Sequence, residues 1–233
     1  MKYLSIVLAS CILFASCRSV TGSGNIIKKN KSVDNFNTVD AGSSFEVIVK
    51  LGNSNAVEIE ADDNIMPFVE IKNVNDVLKI RLTGKRNFRD AHLKVIVNAV
   101  AINRIKASGA ASIKVEGVLT DKDQIKVDIS GAATVHAKVD APKIDVQVSG
   151  AGYAELEGRT RNFVSDLSGS ASMKAGSLLS ETTTVEASGA ASAHVHSSVS
   201  LKASANGAAS VFYIGGGVTN FSVSGAAKVE REK

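Results

Sequence analysis

The chain has 233 residues, 44% of them hydrophobic, and a formal net charge of +4. That apolar share excludes a disordered polar chain, and charges of both signs, scattered without a Lys/Arg run, exclude a nucleic-acid footprint. Trp is absent, Pro occurs twice and aromatics make up 5%, so a core must come from small and β-branched residues packed in regular, closely spaced units.

The first element is a leader. Met1-Lys2 is a short basic start, Tyr3 to Phe14 is apolar, and Ala15-Ser16 are small. This is the order of a secretory signal over residues 1–16. Twelve helical residues reach only about 18 Å, too short for a hydrocarbon core of about 30 Å. Phe14-Ala15-Ser16-Cys17 reads as a lipobox, with Phe where Leu is commoner. Cys17 is then the expected lipidation site, and two or three acyl chains hold a protein stably on a membrane. Cys11 leaves with the leader, so Cys17 has no partner thiol for a disulfide. Loss of Lys2 leaves 26 basic against 23 acidic residues, a charge of about +3. Residues 17–34 are expected to be the lipidated N-terminus and a tether, flexible over Arg18–Gly24.

Residues 35–104 read as strands. Phe45, Val47, Val49 and Leu51 alternate, Gly52–Asn55 turns, and Val57, Ile59 and Ala61 return. Leu78, Ile80 and Leu82, then Leu93, Val95 and Val97, continue the pattern. Asp62–Pro67 is expected to form one helical turn capped by Asp62. This region caps the repeats that follow, or forms a separate β-sandwich.

From residue 105 to 233 a motif returns seven times: SGAAS, SGAAT, SGAGY, SGSAS, SGAAS, NGAAS and SGAAK. Its glycines, Gly109, Gly131, Gly150, Gly169, Gly189, Gly207 and Gly225, are separated by 22, 19, 19, 20, 18 and 18 residues. A period near twenty means one supersecondary unit stacked on the next. The flanks have period two: Ile125, Val127, Ile129, Gly131, Ala133, Val135, Ala137 and Val139 alternate with a largely polar set. Phe221, Val223, Gly225, Ala227 and Val229 are expected to be the inward set of the last unit. The expected fold is all-β, a right-handed parallel β-solenoid, with coils about 4.8 Å apart. Gly sits inside a small-residue ladder where two walls approach, or at a corner needing positive φ; unbroken parity favours the inward ladder. Asp121-Lys-Asp123, Asp140-Ala-Pro142 and Gly215–Gly217 are expected turns. Charges in Lys228–Lys233 protect the last edge.

With these features on the page, the chain resembles the auto-transporter adhesin family with the head GIN domain. The leader, the paired strands with the Asp-Asp-Asn turn, and above all the repeated Ser-Gly-Ala motif carry the resemblance, over roughly residues 35–230. It implies a β-helix-like solenoid in the bacterial envelope and an adhesin role. It supplies no catalytic residue.

Candidate chemistry is sparse. His194 and His196 lie at i and i+2 with His136 on an earlier coil, but a zinc site needs further ligands. Asp62-Asp63-Asn64 lacks the oxygen count of a calcium loop. Gly215–Gly217 lacks the Lys and helix of a phosphate loop. Asp128, Asp145 and Asp166 face outward, and glycoside cleavage needs paired carboxylates in a cleft; Lys126 beside them favours a solvated charged column. No cofactor, metal or nucleic acid is expected. The expected partners are a membrane, through the lipid, and a protein or glycan ligand. The candidate binding stripe is hydroxyl-lined and flat: Ser130, Ser149, Ser168 and Ser188, with Thr134, Tyr153, Ser172 and Ser192 beside them. Function is read as an envelope-anchored binding module, most simply on the outer membrane and without catalysis. The alternatives are a structural or regulatory envelope lipoprotein and, remotely, a carbohydrate-active enzyme.

Overall fold

The computed structural model describes residues 19–84 and 86–232. The leader and Cys17 lie outside the described residues. The fold is all-β, a parallel solenoid, because residues with period-two alternation bury one face each and stack in register.

Each coil has a first wall, a corner and a second wall. In spatial order the first wall stacks Val77–Leu82, Thr38–Ala41, Arg104–Ala107, Gln124–Ile129, residues 143–148, 162–167 and 182–187, Ser200–Gly207 and Val218–Gly225, all parallel. The second wall stacks Leu93–Ala99, Glu46–Leu51, residues 112–116, 134–136 and 153–155, Ser172–Ala175, Ser192–Ser197, Ser210–Gly215 and Lys228–Arg231. Residues 118–120, 138–140 and 157–160 begin a third side. Inward Val, Ile, Leu and Ala side chains form one core, with Phe45 and Phe163 the largest fully buried members.

The chain does not wind from one end. Thr38–Ala41 lies between Val77–Leu82 and Arg104–Ala107, so the rung entered first is second in space. The outer rung, Val77–Leu82 with Leu93–Ala99, is then closed by antiparallel pairings. Ala56–Asp62 runs antiparallel to Leu93–Ala99, Ile26–Ser32 antiparallel to Ala56–Asp62, and Val69–Val74 antiparallel to Val77–Leu82. The outermost strand, Ile26–Ser32, exposes Lys28, Lys29 and Lys31, which discourages further pairing. The opposite end is open: all of Val218–Gly225 is exposed, including Phe221 at 38% and Val223 at 47%. Those two residues keep the inward parity of the repeat, and no rung among the described residues covers them.

The structure corrects four local expectations. The repeat glycines do not form an inward ladder. They are exposed, with φ between +70° and +79°, at the corner between the two walls. Parity survives because Ala107 and Ala111 both point inward while Gly109-Ala110 between them turns outward. The helical turn is a 3-10 segment, Met66–Phe68, preceded by Ile65 without a side-chain cap. Asp140-Ala-Pro142 is a bend inside the strand Thr134–Val148, where register skips Pro142. The expected tether is packed on the fold from Ser19 onward: Ser19–Thr21 pairs parallel with Asn87–Arg89, and Gly22 N–H donates to Arg89 O at 3.0 Å. At Asp121 the expected turn forms, its Oδ1 accepting the N–H groups of Asp123 and Gln124 at 2.8 and 2.9 Å.

Candidate functional site

The outward side of the first wall carries a groove of about 480 Å³ beside the corner. Alternation puts every second residue of each rung into it, so the Ser before each corner glycine and the residue two positions earlier line it together. Ser108, Ser130, Ser149 and Ser168 form one bank, and Asp40, Lys106, Asp128, Gln147 and Asp166 the other. Register stacks the second set directly: Asp40 pairs with Lys106, Lys106 with Asp128, Asp128 with Gln147, and Gln147 with Asp166.

Two ion pairs line the groove, one at its Asp40 end and one at its middle rungs. Arg81 Nη2 lies 2.7 Å from Asp40 Oδ1, and Arg81 Nη1 also donates to the carbonyls of Asp40 and Ile80 at 2.9 Å. Arg104 Nε lies 2.7 Å from Asp128 Oδ2. Lys106, Gln147 and Asp166 make no such contact among the described residues, so their polar ends are available to a ligand. The Ser hydroxyls are partly engaged: Ser108, Ser149 and Ser188 donate to the preceding rung's Ala41, Ile129 and Leu167 carbonyls, each at a long 3.4 Å.

The candidate stripe is therefore not one flat surface. Ser130, Ser149 and Ser168 line the groove, and Ser188 extends their column. Thr134, Tyr153, Ser172 and Ser192 begin the second wall, around the corner. There Tyr153 Oη donates to Glu155 Oε2 at 3.2 Å, and His136 Nδ1 lies 3.0 Å from the same oxygen. Burial, with the Glu155 carboxylate beside it, pushes the Tyr153 phenol above its ordinary value.

The remaining candidates disperse. Asp128 and Asp145 do not share a column: Asp145 stacks on Lys126, while Asp128 stacks beside Gln147. His194 Nδ1 lies 2.9 Å from Glu232 and its ring stacks on Phe212 at 4.8 Å. His196 Nδ1 accepts the Ser180 N–H at 3.3 Å. No group of three or more His, Cys, Asp or Glu converges among the described residues. Asp62 is buried and accepts the N–H groups of Gly24 and His92, both at 2.7 Å. Asp63 takes Ser23 Oγ at 2.6 Å and Asn25 Nδ2 at 2.9 Å, contacts that hold its carboxyl below its ordinary value. These carboxylates staple the N-terminal segment and leave no oxygen cage.

Sequence reasoning missed Asp40, Arg81, Arg104, Lys106 and Gln147. The usable signal was the polar residue two before each Ser, as in Lys106-Ala-Ser108, Asp128-Ile-Ser130, Gln147-Val-Ser149 and Asp166-Leu-Ser168.

Solved structures share this architecture. A putative adhesin from Bacteroides fragilis NCTC 9343 superposes with a TM-score of 0.86 at 21% identity, covering 91% of this chain and 100% of its own. A putative adhesin from Parabacteroides merdae ATCC 43184 gives 0.76 at 21%, covering 93% and 100%. A putative lipid binding protein from Parabacteroides distasonis ATCC 8503 gives 0.77 at 13%, again covering 93% and 100%. At these identities the likeness establishes the fold alone. Among curated proteins none matches the chain. The family model described as putative auto-transporter adhesin, head GIN domain, matches residues 35–217, a span that includes the groove and every coil but the last. The chain belongs to that family.

Proposed function

We propose that the mature protein is a lipid-anchored envelope protein that binds a glycan along the first-wall groove and catalyses no reaction. One observation carries the reading: an open groove in which hydroxyls recur at four successive rungs opposite the ends of Lys106, Gln147 and Asp166, which are unpaired among the described residues. Fixed hydroxyls and amides suit an extended polyhydroxylated chain, with many modest contacts in place of an aromatic anchor. Membership of an adhesin family supports a binding role. The groove carboxylate Asp128 is committed to Arg104, which disfavours it as a proton donor.

The test is a glycan array probed with the purified chain and with a Gln147→Ala/Asp166→Ala variant. Binding by the parent and loss in the variant support the reading. No glycan binding, with envelope defects on deletion, points instead to a structural role, and polysaccharide turnover would revive an enzyme. A protein ligand captured through the groove and lost in the same variant would keep the binding role and change its ligand.

Lipidation at Cys17 predicts an intact mass that includes acyl chains, and release from membranes in Cys17→Ser. We place the protein on the outer membrane, facing either the periplasm or the medium; protease shaving of intact cells separates the two.

A further inference from the structure

The anchor and the fold meet with almost no slack. Ser19 is already paired with Asn87, Val20 with Phe88 and Thr21 with Arg89. Gly22 N–H is held by Arg89 O and Gly24 N–H by Asp62 Oδ1. The chain at Gly22 is wedged so closely that a Cβ there would lie 2.5 Å from Asp90 O. Cys17 is two residues before Ser19, a reach of at most about 7.6 Å. Whatever surface holds the Cys17 lipid must therefore lie beside the segment that replaces the Ser-Gly-Ala corner in the outermost rung.

That segment has the chemistry of a bilayer interface. Phe68 and Phe88 are half-buried and pack together, ring centroids 5.5 Å apart, and the Arg86 guanidinium lies 4.8 Å over the Phe68 ring. Arg86 and Arg89 are exposed and pair with no carboxylate among the described residues. By contrast Arg81, Arg104 and Arg159 each hold an Asp at 2.7 Å. Aromatic rings with unpaired guanidiniums are favoured at headgroup depth. Their charge acts only within a Debye length of about 10 Å, a distance the short connection to Cys17 enforces.

We propose that this corner, formed by Phe68, Arg86, Phe88 and Arg89, lies on the membrane that carries the anchor, with both guanidiniums on anionic phospholipid headgroups. The proposal rests on lipidation at Cys17. It orients the molecule: the capped end meets the bilayer and the open end, at Val218–Gly225, points away.

The test uses the full chain, expressed with its leader and purified from membranes. A fluorescent amino acid is placed at Asn87 or, as the far-end control, at Ser222. The protein is reconstituted into phosphatidylcholine vesicles with or without phosphatidylglycerol, containing a headgroup-labelled quenching lipid. Quenching should be severalfold stronger at residue 87 than at 222. It should rise with phosphatidylglycerol, and that rise should vanish in Arg86→Gln/Arg89→Gln. Equal quenching at both positions, or none at residue 87, overturns the proposal. So does an indifference of residue 87 to phosphatidylglycerol and to both substitutions. Intact mass reports separately on lipidation. If Cys17 carries no acyl chain, that reading fails, and coupling its thiol to a maleimide lipid supplies the anchor for the same measurement.

Discussion

Gly150 lies directly over Gly131: a Cβ on Gly150 would stand 2.8 Å from the Gly131 carbonyl oxygen. The same oxygen accepts the Ala151 N–H at 2.7 Å, so it cannot retreat without loss of a ladder hydrogen bond. Gly150→Ala therefore combines left-handed backbone strain with a steric conflict, and should destabilise by about 2 kcal/mol or more. Gly52 has ordinary φ and open space around it, so Gly52→Ala should be neutral or slightly stabilising. Urea melts of the two variants beside the parent check the contrast.

Ser43 occupies the corresponding corner of the rung Thr38–Ala41 with Glu46–Leu51, at φ +60°. Ala110 N–H donates to its carbonyl at 2.7 Å, as later rungs do to glycine. A non-glycine residue pays about 1–2 kcal/mol there. Ser43→Gly should raise stability by up to about 1 kcal/mol, once the extra freedom of glycine in the unfolded chain is offset. A lowered denaturation midpoint would contradict this account of the corner.

Ser165 is buried at 1% exposure, and its hydroxyl finds no partner among the described residues. It stacks between Val146 and Val185 on the inner side of the first wall. An unsatisfied buried hydroxyl costs about 1–3 kcal/mol, so Ser165→Ala should stabilise by about 1 kcal/mol. Calorimetry would show a higher Tm with unchanged circular dichroism.

Asp121 predicts an acid dependence. Burial raises its pKa, but the N–H donors of Asp123 and Gln124, with Asn103, outweigh burial and leave it below the ordinary 3.8. A depressed carboxylate adds stability that is complete above the unfolded pKa and disappears as pH falls through the folded one. Asp121→Asn should thus be less stable than the parent at neutral pH. The gap should close only below about pH 3.8, the ordinary value. Thermal melts across that range decide it.

Much of the wall structure was legible, because alternation in stretches such as Ile125–Val139 has one geometric solution when repeated. The corner was misread for a specific reason. Ala107, Gly109 and Ala111 keep odd numbering, and a tight outward turn of Gly109-Ala110 preserves that numbering while reversing what it means. The rung order was illegible in principle, since no local pattern says that Thr38–Ala41 inserts between strands that follow it. The groove was half legible for the same cause: its serines repeat, whereas the Arg81–Asp40 pair joins residues brought together only by that insertion. The packed tether was missed because Arg18–Gly24 has a linker's composition, and its partners Asp62 and Arg89 lie far along the chain.

The stacking of corner on corner makes length a unit quantity. Each turn offers its successor the same backbone acceptor at the same bend, so a whole coil of about twenty residues could be added or deleted while every neighbour kept its register. A single residue inserted within a wall would instead turn that wall's inner side chains outward. The size of such a protein should accordingly vary in steps of one coil, with both the capped end and the groove's cross-section unchanged as its height grows.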